Sequence, residues 1–403
     1  MLSADVANTF TQQELDWLHK FTVQTGLTIK GNRAGYVNEY NVLRWCHAYP
    51  DDFDVAVKKF QRHLNIRKLL FLDIIKDDDM SIVDCVIDEL AEHYAPMHYI
   101  GNAGADDLRP VFLEQNGQFD IQSMMAQIRI SAFMMSRFRL MERILHRVRD
   151  AEERTGELSS AILLWDLKGL VFHTNLIQFL TGPFRIMWGT LMEQYPYMFS
   201  KFILINAPSF MNVIYNACSG FIPAEYRKKI HVLNTSPDDY SELHKHIAIS
   251  HLPKEYQGHV DVLLPSPKKC EVAPIPHPEV LLSEVSIPAG GVKIETFYLT
   301  QAQQLEFFMK HTKEFTMNIF FHPSKKSISD HKSEVDEMLE VFAGCERPPL
   351  AALDSWPWKI PYTGFYHIIY GNEKAWFMSV SLEYQIFEVH QNGNKVKVNP
   401  IKA

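Results

Sequence analysis

The chain has 403 residues, 46% hydrophobic and 22% charged, with a formal net charge of -8. That length predicts two or three domains, and the composition is that of a globular protein. The acidic balance excludes an all-over basic surface for nucleic acid or anionic bilayers, while leaving room for local basic patches.

Residues 1–78 read as helical. Thr11-Gln-Gln-Glu14 is a capping-box pattern ahead of Leu15, Leu18 and Phe21. Asn38, Asn41, Val42 and Trp45 lead into Pro50-Asp-Asp52, which ends one helix and starts another carrying Val55, Val57, Phe60 and Leu64. The clearest helical stripe covers residues 121–149, with Ile121, Met125, Ile128, Ala132, Met135, Phe138, Leu145 and Val148 near 3.6 spacing. Its arginines (Arg129, Arg137, Arg139, Arg143, Arg147 and Arg149) read as a solvated face. Ala161-Ile-Leu-Leu-Trp165 reads as a buried strand, ended by the turn Asp166-Leu-Lys-Gly169.

From Gly169 to Ala224 the chain runs 56 residues with three formal charges, Arg185, Glu193 and Lys201. A membrane span needs roughly 20 apolar residues. Asn206, Pro208, Asn212, Asn216, Gly220 and Pro223 break the run, so a folded body is expected instead. Leu170–Leu180 and Arg185–Gln194 read as helices separated by Gly182-Pro183. Phe202–Asn206 reads as a second buried strand, stopped by Ala207-Pro208. A helix near Phe210–Ser219, the basic cluster Arg227-Lys228-Lys229 and a third strand at Ile230–Leu233 follow. Strands alternating with helices predict an α/β class with a mostly parallel sheet.

Five prolines between residues 261 and 279 predict a stiff linker. Beyond it the period changes to two at Val292–Tyr298. Gly364–Tyr370, Gly371-Asn372 and Lys374–Val380 read as a hairpin, and Ser381–Val389 continues as strand. Residues 280–392 are therefore expected to form an antiparallel β-sandwich. The polar stretch Ser324–Pro349 reads as a long loop within it, and 393–403 as a tail.

The sequence holds no glycine-rich phosphate loop, His-Glu-x-x-His or Gly-x-Ser-x-Gly. His244 and His246, two apart, do not share a helical face and read as a solvated helix end rather than metal ligands. Cys218 and Ser219 have no neighbouring base. No catalytic residue, metal site or cofactor is expected, and the chain reads as a non-enzyme. Cys46, Cys85, Cys218, Cys270 and Cys345 are odd in number and scattered, which fits a reducing compartment. The first residues lack the basic and apolar regions of a secretory signal, so a cytoplasmic protein is expected.

Residues about 30–260 resemble the CRAL-TRIO lipid-binding and lipid-transfer family. Asn41-Val-Leu-Arg-Trp45 and Phe53-Asp-Val-Ala56 are similar to its helical lead-in. Leu163–Gly169 is similar to its first core strand and Asp-x-x-Gly turn. Tyr195-Pro196 and Phe202–Pro208 resemble its second strand and corner. Phe221-Ile-Pro223, Lys228–Leu233 and Leu252-Pro-Lys-Glu-Tyr-Gln-Gly258 resemble the gate-to-strand segment and the closing motif. The order and spacing carry the resemblance more than any one piece. Residues 280–392 look like a GOLD domain, a pairing that resembles the supernatant-protein-factor branch.

The resemblance implies a helical region at 1–78, a lipid-binding α/β domain at 79–260 and a GOLD sandwich at 280–392. It also implies a single-lipid cavity closed by a mobile gate near Val213–Ala224. Lining residues would be Leu163, Trp165, Phe179, Phe184, Met187, Phe202, Leu204, Tyr215 and Phe221. Arg227, Lys228 and Lys229 would meet a headgroup or a membrane. Inositol-lipid-binding members share Tyr-Pro-Glu and Pro-x-Thr-x-x-Lys sequences. Here Tyr197 and Tyr226 replace the Glu and Thr, and Lys229 remains. That departure turns the expectation toward another phospholipid or a tocopherol-, retinoid- or sterol-precursor-like ligand. Expected partners are that lipid, a transient membrane surface (Golgi or endosomal membranes among the candidates) and a protein met through the GOLD domain, with no nucleic acid. The alternative reading is a trafficking or signalling adaptor whose lipid is only structural.

Overall fold

The computed structural model describes residues 10–31, 35–74, 93–236, 238–264, 266–267, 282–329, 331–349 and 352–401. Most of the expected linker, the boundary at residue 78, and Cys85 and Cys270 lie outside the described residues. The chain divides into two compact units. The first gathers residues 1–120, 136–177 and 191–270, the second 121–135, 178–190 and 271–403. Two short pieces of the expected 79–260 domain thus group with the C-terminal strands.

In the first unit, α1 (Gln12–Thr25) begins with the capping box, Thr11 accepting from the Glu14 N–H and Glu14 accepting from the Thr11 N–H. Asn38 and Asp52 cap α2 (Glu39–Ala48) and α3 (Phe53–Leu69). Their apolar faces meet through Phe21, Trp45 and Phe60, with the Phe21 and Phe60 rings edge-on at 5.0 Å.

The long stripe is not one helix. It divides into α4 (Ile121–Gln127) and α5 (Ile130–Thr155). The carboxylate of Asp354 accepts from the Ser131 N–H and hydroxyl, giving the opening turn of α5 an anionic partner that a continuous helix would not expose. The arginine face is also not solvated throughout. Arg137 and Arg139 are buried, and Arg137 donates to Glu114 at 2.8 Å and to the Ala95 carbonyl at 2.8 Å. Arg67 of α3 forks onto Glu142 of α5 at 2.6 and 2.9 Å. Arg44 of α2 likewise pairs with buried Glu152.

A five-stranded sheet forms the centre of the unit, in the order β1 (Met97–Asn102), β2 (Pro110–Glu114), β3 (Ala161–Asp166), β4 (Phe199–Ile205) and β5 (Ile230–Val232). β1 and β2 are antiparallel and the remaining pairs parallel. Between β3 and β4 run α6 (Thr174–Phe179) and α7 (Arg185–Gln194). Gly182-Pro183 does not separate them, because the wide turn Leu180–Phe184 absorbs the proline and carries the helix onward. α8 (Met211–Cys218) and α9 (Ala224–Arg227) lead to β5. Among the described residues no helix is long and apolar enough to cross a membrane.

The second unit holds two antiparallel sheets. One has the order β10 (Leu339–Arg347), β9 (Phe315–His322), β12 (Gly364–Gly371), β7 (Val292–Leu299). The other runs β11 (Asp354–Lys359), β8 (Gln304–His311), β13 (Val380–Val389), β14 (Lys395–Val398), with β6 (Ser283–Ile287) also on β13. Phe297, Phe307, Ile319, Tyr366, Tyr370 and Leu382 belong to its core.

Three expectations are corrected here. The polar stretch 324–349 contains β10, whose register slips twice against β9 and so hides its alternation. β14 extends the sandwich past residue 392 into the expected tail. The 364–380 segment is no hairpin: β12 pairs with β7 and β9, β13 with β6, β8 and β14, and residues 372–379 carry the chain from one sheet to the other.

Candidate functional site

The parallel sheet has two apolar faces. Register pairs Phe112 with Leu163, Leu163 with Phe202, and Trp165 with Leu204. Side chains alternate along strands, so Phe112, Leu163, Trp165, Phe202 and Leu204 share one face. The opposite face carries Val111, Leu113, Ile162, Leu164, Ile203 and Ile205, packed into a cluster with Tyr240, Leu243, Leu252 and Tyr256. The residues of the first face do not belong to that cluster. They meet aromatic rings instead: Phe202 lies 5.5 Å from Trp165, 5.4 Å from Phe199 and 6.3 Å from Tyr226. Four of the nine residues expected to line a cavity are therefore side by side on one sheet face.

The others are distributed. Phe179, Phe184 and Met187 fall in the second unit, where the Phe184 ring lies 5.6 Å from Phe179 and 6.1 Å from Trp188. Tyr215 is half-buried on α8, and Phe221 is 56% exposed in the turn that follows it. Val213 and Phe172 are exposed too, and the Phe172 ring meets Phe210 at 5.3 Å.

Basic residues 227–229 do not act alike. Arg227 and Lys228 are exposed, while Lys229 turns inward. Its Nζ donates to the Phe199 carbonyl at 2.8 Å and sits 5.0 Å from the Tyr197 ring and 5.3 Å from the Tyr226 ring. Burial lowers its pKa, and burial pushes the Tyr226 hydroxyl up to about 12. Tyr197 is held at φ 58°, a conformation that costs a non-glycine residue energy and is kept by its surroundings. Its ring stacks on His47 at 5.2 Å, and His47 in turn meets Glu14 at 2.8 Å.

Beneath the packed face, Asp166 draws three loops together. It accepts from the Lys168 N–H at 2.9 Å, from Asn206 Nδ2 at 2.8 Å and from the Tyr256 hydroxyl at 3.0 Å. Gly169 closes the turn at φ 90°, which favours glycine. Gly258 admits no side chain, since a Cβ there would lie 2.0 Å from the Leu252 carbonyl oxygen.

Residues 98–258 match the CRAL/TRIO domain family. This stretch is a CRAL/TRIO domain. Residues 268–397 match the F28H7.8-like C-terminal domain family, which covers the sandwich. The CRAL-TRIO domain-containing protein F28H7.8 of Caenorhabditis elegans is 26% identical over 370 residues, spanning 89% of this chain and 87% of that protein. The crystal structure of Sfh5 aligns over 61% of this chain and 85% of its own, with 15% identity and a TM-score of 0.43.

The CRAL-TRIO family binds and transfers lipophilic ligands. Within the CRAL/TRIO domain, the Asp-x-x-Gly turn, the Asn206 corner and Tyr256 of the closing motif are brought together as scaffold around Asp166. Replacing Asp166 with Ala takes one acceptor from the Asn206 amide, which keeps the Tyr240 hydroxyl at 3.2 Å, and one from the Tyr256 hydroxyl. The expected cost is about 1–3 kcal/mol, read in chemical denaturation. The Tyr197–Lys229–Tyr226 cluster is visible in sequence only as departures from the inositol-lipid pattern at Tyr197 and Tyr226, beside Cys46-His47-Ala48-Tyr49 where such members are arginine-rich. That His47 joins it depends on a fold contact no spacing reveals.

Proposed function

We propose that this protein is a non-enzymatic carrier or sensor of one hydrophobic lipid. The observation that carries the reading is the match of residues 98–258 to the CRAL/TRIO family, supported by the largely buried apolar sheet face of Leu163, Trp165, Phe202 and Leu204. Tyr215 contributes further wall, and α8 with the turn to Phe221 acts as the gate. The physical need is plain: at about 0.8 kcal/mol per CH₂, exposing a sixteen-carbon chain to water costs about 12 kcal/mol. An enclosed apolar wall removes most of that barrier. Exposed Val213, Phe172 and Phe221 give the gate an apolar outer surface for a bilayer, and exposed Arg227 and Lys228 each add about 1 kcal/mol of attraction to an anionic one.

The ligand class follows from the cluster at Lys229. The ammonium is already occupied by a carbonyl and two tyrosine rings. A headgroup phosphate would have to displace those contacts, so a ligand without inositol phosphate is favoured. The sandwich is read as a GOLD domain that recruits a protein partner, supported by its antiparallel architecture and its position after the lipid domain. The setting is the cytoplasm with transient membrane contact.

The test is extraction. Delipidated protein mixed with vesicles carrying a pyrene-labelled phosphatidylcholine is expected to relieve excimer emission in proportion to protein added. Emission unmoved by this probe and by a labelled sterol, tocopherol or retinoid analogue would refute the carrier reading.

A further inference from the structure

The crossover from β12 to β13 holds Trp376, Phe377 and Met378 in direct succession, 86%, 91% and 61% exposed. Single exposed apolar residues are ordinary on a protein surface. Three consecutive large ones at a loop tip leave an apolar area facing water that ordinary folding would bury.

The loop is tied at its base. Buried Asn372 donates its side-chain amide to the Met378 carbonyl at 2.9 Å and the Pro288 carbonyl at 3.3 Å. Its backbone N–H donates to Gly291, and its carbonyl accepts from Gly290 and Ala375. Lys313 Nζ donates to the Ser379 carbonyl at 3.2 Å. The strand ends are thereby fixed and the three apolar side chains form the projecting part.

The charges around the tip balance, with Lys374, Arg185 and Lys313 against Glu346, Glu314 and Glu373. Lys374 pairs with Glu346 at 3.1 Å, Glu373 with His331 at 3.2 Å, and Glu314 with Arg185. Arg185 belongs to the same compact unit as the sandwich and lies two residues from Met187. The tip therefore shares its end of the sandwich with the helical segment that carries Arg185.

We propose that residues 373–379 are a membrane-docking loop that inserts Trp376, Phe377 and Met378 into the interfacial zone of a zwitterionic bilayer. Tryptophan has an apolar body and one N–H donor, the combination that settles at a membrane–water boundary. The balanced charges provide no strong field toward an anionic surface or a charged protein. The assignment rests on the lipid-carrier reading and deepens it by naming where the carrier meets its donor membrane.

The experiment is flotation of the full-length protein with phosphatidylcholine vesicles, comparing wild type with the double variant Trp376→Ser, Phe377→Ser. Wild type is expected to float, with little change at high salt. The variant is expected to bind about ten-fold or more weakly, because each side chain contributes the burial of a large apolar group. Its thermal melt and its bound lipid in native mass spectrometry are expected to stay as in wild type. A variant that floats like wild type overturns the proposal. So does a wild type that ignores phosphatidylcholine, whether it binds only anionic vesicles or only a protein through this loop. Protein purified empty that still floats through Trp376 would sink the carrier reading alone. Loaded protein whose variant floats normally would sink the loop alone.

Discussion

Replacing Leu204 with Trp is expected to empty the protein of lipid while leaving it folded. Leu204 is buried on β4, level with Trp165 on β3, on the sheet face opposite the Ile203 cluster. If that face borders a cavity, the indole fills ligand space. If it borders only protein, the added volume strains the core by about 1–3 kcal/mol and loading is untouched. The two cases separate cleanly when lipid occupancy by native mass spectrometry is set beside a denaturation curve. Ile203→Trp is the matched control. Ile203 points to the opposite face, among Leu113, Leu164 and Tyr256, where no ligand is proposed. It should lose stability without a specific loss of loading. Unchanged occupancy in the Leu204 variant would remove this face from the binding site.

The second large effect lies in the helical lead-in. Glu142 is buried on α5 and accepts from Arg67 at two oxygens and from the Tyr195 hydroxyl at 2.5 Å. Arg67, 3% exposed, also stacks over the Tyr36 ring at 4.0 Å and meets Asp73. Removing one member of such a pair strands the other charge, at a cost of about 3–5 kcal/mol. A domain is stable by only about 5–15 kcal/mol, so Glu142→Ala should lower the denaturation midpoint severely. The double variant Arg67→Met, Glu142→Leu should recover much of the loss, because no uncompensated charge remains. A single variant as stable as wild type would show that the pair contributes nothing.

The same network makes stability depend on pH. Burial alone would raise the Glu142 pKa, but the Arg67 charge and its hydrogen bonds hold it below the usual carboxylate range. Its contribution is therefore complete above that range and lost as pH falls through the lowered folded value. His63, buried beside it and bonded to Gln194 at 3.0 Å, acts in the same direction. Burial, aided by Arg67, pushes its pKa down to about 3. Between the ordinary imidazole value and that one, the unfolded chain takes up a proton that the folded chain refuses, so acidification favours unfolding. The midpoint should fall between neutral pH and pH 4, and His63→Gln should flatten that fall.

The parts legible in the sequence share one property: their signal is local. Ala161–Trp165 and Phe202–Ile205 are apolar runs closed by breakers, and both are strands. Alternation within them places Leu163, Trp165, Phe202 and Leu204 on one side without any coordinates. Where partners are remote, local reading fails. Arg137 finds Glu114 and Arg67 finds Glu142 across long separations, so a basic helix face that looks solvated is partly interior. Gly371-Asn372 has the composition of a tight turn, yet Asn372 uses its amide to anchor a crossing loop. β1 and β2 are short and mixed in character, and the bulged register of β10 erases its period. Phe179 falls in one expected helix and Phe184 beyond the expected break at Gly182-Pro183. Yet their rings meet at 5.6 Å across the wide turn, and with Met187 they group with the sandwich, which no linear pattern announces.

Identification of the bound lipid tests the central claim most directly. Protein purified from its own cells under non-denaturing conditions should show, by native mass spectrometry, an adduct of one lipid per chain. Organic extraction should return that species without an inositol phosphate headgroup. Folded, monodisperse protein with no adduct, and no uptake after incubation with a total lipid extract, would contradict the account.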